Sequence, residues 1–450
     1  MARLSSPSPG RPISIELDGK VLQAHEGESV AAALVAADVP LLSRSVKYHR
    51  PRGAFCMGRS CGNCLLRVDG VPNVQGCSTP VRDGMKIERQ NAFPSVQHDL
   101  FGTVDWFFPR GMDHHTMFAG VPVAETVMAK VARKLAGFGT LPDPGAPAAL
   151  APAERRVDVA VVGAGPAGLA AAEVLAQAGV DWLLLERESR VGGRLVRGPL
   201  EDVRTPAASD SSRVLTRAQV FGLFSDAGGR FLAVDQHLPE GQRLLKVYAP
   251  RILLAVGGHA RLLPFRNNEL PGIYAGRAAT RMVREDGVSP GAQIAVVGHG
   301  PELEGVVLAL SRAGLRPVLT LDLGGPGAEA RAPSVDASLG AIVGTPTIAH
   351  GRARVRALSY RTPDGAVKRV VCDAVVLALP PSPAYELAGH LGAPVDFDPV
   401  QATFRVRAGA DGRTPVEGLS VAGELTGPLG ALEAAESGRR AAVALLGDVR

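Results

Sequence analysis

At 450 residues the chain exceeds what one hydrophobic core can hold, so two or three domains are expected, and 46% hydrophobic residues suffice to fill them. The formal charge of +5 comes mostly from scattered arginines, with no compact basic block outside KYHRPR at 47–52, and 4% aromatics leave little with which to stack single-stranded bases, so no nucleic-acid partner is expected. No stretch reaches the ~18 to 20 apolar residues of a membrane span, and the opening MARLSSPSPGRP lacks an apolar signal core; a soluble, cytoplasmic protein is expected, with peripheral association with the inner membrane left open.

Residues 12–32, ISIELDGKVLQAHEGESVAAA, read as an alternating strand, a DGK turn, a second strand and a helix with Ser29 as its N-cap. The later run CLLRVDGVPNVQGCSTPVRDGMKIER supplies further short strands, with Asp69-Gly70 as a hairpin turn. Strand, turn, strand, helix is the opening of a ubiquitin-like, β-grasp fold of the ferredoxin kind. Residues 1–95 are expected to form this one small α+β domain.

Between those halves stand Cys56, Cys61 and Cys64, with Cys77 following, in the spacing C-x4-C-x2-C…C. That is the plant-type 2Fe-2S ligand pattern: four thiolates must converge on two irons, and a tight loop carrying three of them gathers most of the set locally. Gly58, Gly62 and Gly76 suit a backbone that bends sharply and turns N–H groups toward sulfur. A disulfide framework fits poorly with an odd count of five cysteines in a long chain without a secretory signal. Structural zinc usually uses two well-separated short pairs, whereas here one ligand stands alone. Cys56 and Cys61 also have the spacing of the dithiol of flavin disulfide reductases, but there the dithiol follows the first dinucleotide motif, and here it precedes it by about a hundred residues. Cys372, in VVCDAVVLAL, reads as a buried small hydrophobe.

A helical connector and a Pro/Ala-rich linker are expected over 96–154. From 157, VDVAVVGAGPAGLAAAEVLAQAGVDWLLLERE is a strand, a glycine turn at Gly163, Gly165 and Gly168, a helix, and a second strand ending at Glu186. The glycines let the backbone approach a pyrophosphate at a helix N-terminus, and the acid is placed to accept from a ribose hydroxyl. VGGRL at 191–195 adds the second glycine pair of two-dinucleotide-domain flavoproteins, which favours FAD over NAD. A second, degraded fingerprint lies at 291–322, with Gly298, Gly300 and Asp322 in place but Leu303 where the third small residue belongs. It reads either as a site for NAD or another adenine nucleotide, or as a nested domain that has kept the fold and lost the ligand. RILLAVGGHARLLPF at 251–265 and LSVAGELTGPLGALEAAESGRRAAVALL at 419–446 complete a flavoprotein. In this fold the latter sets Glu424 near the ribityl chain and aims a helix N-terminus at the flavin ring. The expected order is an FAD-binding Rossmann-like domain in two parts, 155–265 and 376–450, around a nested NAD-type Rossmann domain, 266–375; the class is α/β with α+β.

The whole arrangement resembles the α-subunit family of heteromeric sarcosine oxidase, opine oxidase, hydrogen cyanide synthase and related amino-acid dehydrogenases. Beside the nucleotide motifs, the resemblance is carried by SRSVKYHRPRG at 43–53, QNAFPSVQHDL at 90–100, FPRGMDHHTMF at 108–118 and VLTRAQVFGLF at 214–224. It implies an FAD set of Gly163, Gly165, Pro166, Ala167, Gly168, Glu186, Arg187, Gly193, Arg194, Val220, Gly257, Gly423 and Glu424, with a 2Fe-2S cluster on the four cysteines. Sarcosine oxidase α-subunits lack those cysteines and carry a long C-terminal folate-binding half, so the chain looks closer to the cluster-bearing amine dehydrogenases. No second cysteine-rich module follows the closing helix, and a second cluster is not expected. The region 195–213 is short and polar where relatives have a longer helical stretch.

The resemblance further implies that substrate is oxidised on a partner, a flavin β-subunit of the D-amino-acid-oxidase type acting on a small amine or amino acid. This chain would accept the electrons and pass them to a downstream acceptor. No residue set here offers an acid–base catalyst, so no catalytic residue is assigned. His114-His115 are expected to pack or hydrogen-bond between domains, and His49, Arg50 and Arg52 to be either a solvated basic turn or a group that tunes the cluster or meets a partner. The competing function is a free-standing NAD(P)H-dependent reductase in which the second fingerprint binds nicotinamide; a third is an inert scaffold. The substrate, the acceptor, the stoichiometry and an interfacial FMN are left open.

Overall fold

The computed structural model describes residues 3–5, 10–45, 48–100, 123–124, 126–127, 149–193, 212–238, 240–324 and 335–447. Most of the expected connector, including His114-His115, and the polar region after Gly193, including Arg194, lie outside the described residues. Two compact units emerge: one gathers the N-terminal region with 262–324 and 335–378, the other 149–261 with 379–447.

The N-terminal region opens with β1 (Pro12–Leu17) and β2 (Lys20–His25), an antiparallel hairpin turned at Asp18 and Gly19, both at positive φ. Ile13, Ile15 and Leu17 alternate onto the buried face. Helix α1 (Val30–Ala36) starts where Ser29 Oγ accepts from the Ala32 N–H at 3.2 Å, and it buries Val30 through Val35. The short pair β3 (Ser43–Arg44) and β4 (Pro51–Arg52) precedes the cysteine loop. Then come β5 (Leu65–Val68), β6 (Val71–Gln75) and β7 (Lys86–Glu88). The sheet order is β2-β1-β7-β5-β6, with β1 and β7 parallel at its centre, which is the β-grasp arrangement.

The second unit begins with β8 (Ala153–Arg156), β9 (Val159–Val162), α2 (Pro166–Gln177), β10 (Trp182–Leu185) and β11 (Val214–Leu215). Every residue of β9 and β10 is buried, as a parallel sheet covered on both faces requires. A meander of β12 (Ala218–Asp226), β13 (Gly229–Leu238) and β14 (Gly241–Tyr248) pairs with β8, and β15 (Arg251–Leu254) returns beside β9. A short strand, β16 (Gly258–His259), follows.

The chain then re-enters the first unit with β17 (Ile273–Ala275), α3 (Gly276–Arg281) and a π-helical turn over Met282–Asp286. Next are β18 (Ile294–Gly298), α4 (Gly300–Arg312), β19 (Leu319–Asp322) and β20 (Ile342–Val343). An antiparallel trio follows, β21 (Thr345–Gly351), β22 (Val355–Arg361) and β23 (Val367–Val371), and then β24 (Ala374–Ala378). The parallel sheet runs β17-β24-β18-β19-β20, with β18 and β24 wholly buried.

The second unit closes with β25 (Ser382–Pro383), α5 (Glu386–His390), β26 (Val395–Asp398), β27 (Thr403–Val406), β28 (Leu419–Val421) and α6 (Ala431–Gly447). Its parallel sheet is β11-β10-β9-β15-β28. Helices α2 and α6 cross in backbone contact, because a Cβ at Gly438 would lie 1.9 Å from the Ala167 carbonyl oxygen. No described helix is long and apolar enough to cross a membrane. Gly438→Ala gains up to ~1 kcal/mol of helix propensity, but the added methyl meets backbone that cannot turn aside. A net loss of about 2 kcal/mol or more is expected, read as a fall of roughly 4 to 8 °C in melting temperature by calorimetry.

Candidate functional site

The cysteine loop is built from backbone rather than from side-chain packing. Its left-handed positions fall on Met57, Arg59 and Gly62, at φ +45°, +64° and +65°. Gly58 is not among them, and Gly76 serves a different need: a Cβ there would stand 3.1 Å from Leu66 Cδ1 and 3.3 Å from the Cys64 carbonyl oxygen. The Ala31 N–H donates to the Gly76 carbonyl at 2.9 Å, tying the fourth cysteine's strand end to α1, and the Gln75 side chain donates to the Arg59 carbonyl at 3.2 Å. Arg52 reaches Asn63, between the second and third cysteines, at 3.4 Å.

All four cysteines of the loop are free thiols; Cys56, Cys64 and Cys77 are buried and Cys61 is half-buried. Hydrogen bonds join them: Cys56 to both Cys61 and Cys77, and Cys77 also to Cys64. The bond from Cys61 pulls Cys56 down and that from Cys77 pulls Cys64 down, while the same bonds push Cys61 and Cys77 up. The Gly58 N–H donates to Cys56 Sγ at 3.4 Å, and the set therefore favours thiolate character on two sulfurs before any metal is present. Among the described residues no three His, Cys, Asp or Glu converge to hold a single ion. The bonds run Cys61–Cys56–Cys77–Cys64, and four thiols gathered in one chain at this sequence spacing fit the ligand set of a 2Fe-2S group.

His49 is not part of a solvated turn. It is buried, 3.0 Å from the carboxylate of Asp99, which also lies 3.6 Å from Arg44. Arg44 in turn donates to the carbonyls of His49 and Val96 at 2.7 and 2.8 Å, so this group braces the small domain. Arg50 is the exposed member and pairs with Glu269.

In the second unit, β9 runs into Gly163, where a φ of +98° and a Cβ position 2.5 Å from the Ala255 carbonyl oxygen admit only glycine. Gly165 caps α2, Pro166 takes its first position, and nothing lies within 4 Å of where a Gly165 Cβ would point. Gly168 presses on the Gly163 carbonyl at 1.8 Å from its virtual Cβ, and Ala167 is buried beneath. Glu186 follows β10. It is buried, with its carboxylate accepting from the N–H groups of Ala164 at 2.7 Å and Glu188 at 2.8 Å. Burial raises its pKa against the lowering effect of those two bonds. Gly192 donates to the Ala164 carbonyl at 2.8 Å, and at Gly193, also left-handed, an added Cβ would stand 3.0 Å from Gly165 Cα. Glu424 is buried, with Oε2 3.6 Å from the virtual Cβ of Gly257; Gly423, at φ +69°, donates to Ser437 Oγ at 3.1 Å.

The structure thus brings Gly163, Gly165, Pro166, Ala167, Gly168, Glu186 and Gly193 to one helix N-terminus, with Gly257 meeting Glu424 beside Gly423. Arg187 is half-buried near Glu188, and Val220 lies in β12, paired with Val234 and packed on the core. Ser437 and Gly438 were missed by the sequence reading; their signal is the small-residue face AAESG on the closing helix. The first turn of α6 also holds Glu433, which accepts from the Gly430 N–H at 2.8 Å and partly answers that helix dipole.

The second fingerprint is built differently. Gly298 is crowded by the Ala378 carbonyl oxygen, 2.0 Å from its virtual Cβ, and Leu303 is wholly buried. Glu302, in the first turn of α4, is buried and ion-paired with Arg277 at 2.9 Å, and Asp322 is buried, accepting from the Gly324 N–H. A carboxylate of the chain itself therefore sits at the helix end where dinucleotide phosphates would bind.

A cluster held by Cys56, Cys61, Cys64 and Cys77 predicts that changing any one of them to Ser removes the cluster's share of the visible absorption, leaving a flavin spectrum, and drops iron from ~2 per chain. Cys372→Ala leaves both intact. Cys372 is buried and its thiol is pushed up to about 12, so it is a poor ligand.

Residues 10–92 match the 2Fe-2S iron-sulfur cluster binding domain family, and residues 161–215 match the NAD(P)-binding Rossmann-like domain family. The alpha subunit of sarcosine oxidase from Rhizobium meliloti is 33% identical over 62% of this chain, which spans 31% of that protein. The HcnA subunit of hydrogen cyanide synthase from Pseudomonas aeruginosa is 35% identical over 18% of this chain and 75% of its own length. The crystal structure of L-proline dehydrogenase from P. horikoshii superposes with a TM-score of 0.72 at 20% identity, covering 99% of this chain and 75% of that one, a likeness of fold. The chain spans about a third of the length of the sarcosine oxidase subunits it matches. With its cluster domain and its flavoprotein-type Rossmann fold, the chain belongs to the family that holds the alpha subunits of sarcosine oxidase, their opine oxidase counterparts and the hydrogen cyanide synthase subunits.

Proposed function

We propose that this chain is the electron-accepting FAD and 2Fe-2S subunit of a heteromeric amine or amino-acid dehydrogenase, working with a D-amino-acid-oxidase-like flavin subunit that oxidises the CH–N bond. The observation that carries this is the presence, in one chain, of a four-thiol loop with three thiols buried and of a glycine-lined helix N-terminus with a buried acid. Flavin takes up two electrons and can release them singly while a 2Fe-2S centre carries one, so the pair turns a hydride into single-electron traffic.

The residues have separable tasks. Cys56, Cys61, Cys64 and Cys77 hold the cluster. Gly163, Gly165 and Gly168 let the pyrophosphate of FAD approach the start of α2, Glu186 accepts from the adenosine ribose, and Gly193, Gly257, Gly423 and Glu424 border the rest of the cofactor. Arg187, Arg194 and Val220 complete the proposed set. Domains are assigned as 1–95 for the cluster, 155–265 with 376–450 for FAD, and 266–375 for the nested fold. Glycine, sarcosine, proline and opines are the substrate class, chosen by the partner. The reductase alternative is not favoured, since Leu303 and the Glu302–Arg277 pair take up the second fingerprint.

The test is the absorption spectrum, iron and flavin content of anaerobically purified protein, followed by NADH and then by a co-expressed partner with candidate amines. About two irons and one flavin per chain, bleached only by partner plus amine, is the expected result. Bleaching by NADH alone would move the assignment to the reductase, and protein lacking both cofactors despite adequate supply would end it.

A pH dependence follows from Glu186. Its anion is the ribose acceptor, present above its folded-state pKa and lost as pH falls through it. Because burial raises that pKa, FAD affinity is expected to decline at a higher pH than the titration of exposed glutamates. Glu186→Gln should flatten that step in a fluorescence titration of FAD binding.

A further inference from the structure

The short helix α3, GRAATR, carries two arginines four positions apart, hence on one face. Arg277 pairs with Glu302 at the start of α4. Arg281, one turn on, reaches the cluster loop: it is 8% exposed, and its Nη1 donates to the Met57 carbonyl, immediately after Cys56. The strand that feeds α3 grips the other side, for the Ala275 N–H donates to the Phe55 carbonyl at 2.9 Å. Cys56 is therefore held between two backbone carbonyls, both bonded to the nested nucleotide-type fold. Met57 is itself buried and left-handed, which turns its carbonyl out of the run of the loop. A π-helical turn, a geometry common at functional positions, follows Arg281 directly.

An arginine in such a place does more than tie a loop. The hydrogen bond it makes to the loop goes to a neutral carbonyl, and one turn on it forms an ion pair with Glu285, Nε to carboxylate 3.8 Å, so the two residues form a charge pair beside the cluster loop. The charge is buried, so solvent and salt screen it little. Uptake of one electron by a 2Fe-2S centre adds one negative charge and breaks no bond. A cation fixed beside Cys56 therefore stabilises the reduced state more than the oxidised one, and cluster potential responds to net charge and hydrogen bonding.

We infer that the nested nucleotide-type domain acts on the cluster rather than on a nucleotide: through Arg281 it positions the Cys56 segment and sets the reduction potential of the centre. The inference rests on the cluster proposed above. It also gives the degraded fingerprint a task, since its own Glu302 anchors the helix on which Arg281 stands.

The test is a mediated reductive titration of the full chain followed by electron paramagnetic resonance, on the wild type, Arg281→Gln, Arg281→Lys and Glu285→Gln. With iron content and g-values preserved, Arg281→Gln is expected to move the midpoint to lower potential and Glu285→Gln to higher potential, with Arg281→Lys close to wild type. A merely structural arginine would not produce opposite signs. Equal midpoints in wild type and Arg281→Gln, or shifts of one sign in Arg281→Gln and Glu285→Gln, overturn the inference. If Arg281→Gln fails to assemble a cluster, the sign in Glu285→Gln decides: upward supports, unchanged or downward overturns. Wild-type protein without a cluster overturns the cofactor assignment itself, and this inference with it.

Discussion

Four sulfur atoms held within hydrogen-bond reach of one another in a loop of few apolar residues impose the main demand on this chain. Such a loop has little with which to hold itself. Its shape comes from outside: α1 bonds Gly76, Arg52 bonds Asn63, and β17 and α3 bond the residues flanking Cys56. The left-handed turns at Met57 and Arg59 are tolerable because those bonds over-determine the path. The β-grasp sheet supplies the platform, and the nested fold supplies the brace.

Two helix N-termini of similar fingerprint show how charge distinguishes a site from a scaffold. The first turn of α2 has no acid, and space beside Gly165 is open. The first turn of α4 holds Glu302, buried against Arg277. Each solution satisfies a helix dipole, one leaving room for an external anion and the other supplying an internal one. The two buried carboxylates are also satisfied differently: Glu186 accepts from two backbone N–H groups, whereas Glu302 has a guanidinium beside it.

What was legible in the sequence was local. The cysteine spacing, the Ser29 cap, the Asp-Gly turns and the strand–glycine–helix runs each lie within a few residues of one another, and their chemistry is set by neighbours along the chain. What was hidden depends on partners far away. His49 reads along the chain as either a basic turn or a group at the cluster or a partner, and its buried pairing depends on Asp99, fifty positions away. Arg281 and Met57 are 224 positions apart, and nothing in either neighbourhood announces the bond. Nothing in the run AAESG sets Gly438 apart, and only the crossing with α2 shows why a side chain is barred there. The glycines of the cysteine loop misdirected the reading, because non-glycine residues take two of the three sharpest turns.

Of the four loop thiols, Cys61 alone has appreciable exposure, while Cys77 is 1% exposed. That asymmetry gives the centre a weather side. With all four sulfurs held as thiolates by a cluster, access rather than charge separates them, and dioxygen or peroxide arriving from solvent meets Cys61 first. Damage in air therefore begins at one corner and proceeds inward, and a sulfenic or sulfinic mark found by mass spectrometry in aged protein belongs at that position before the other three.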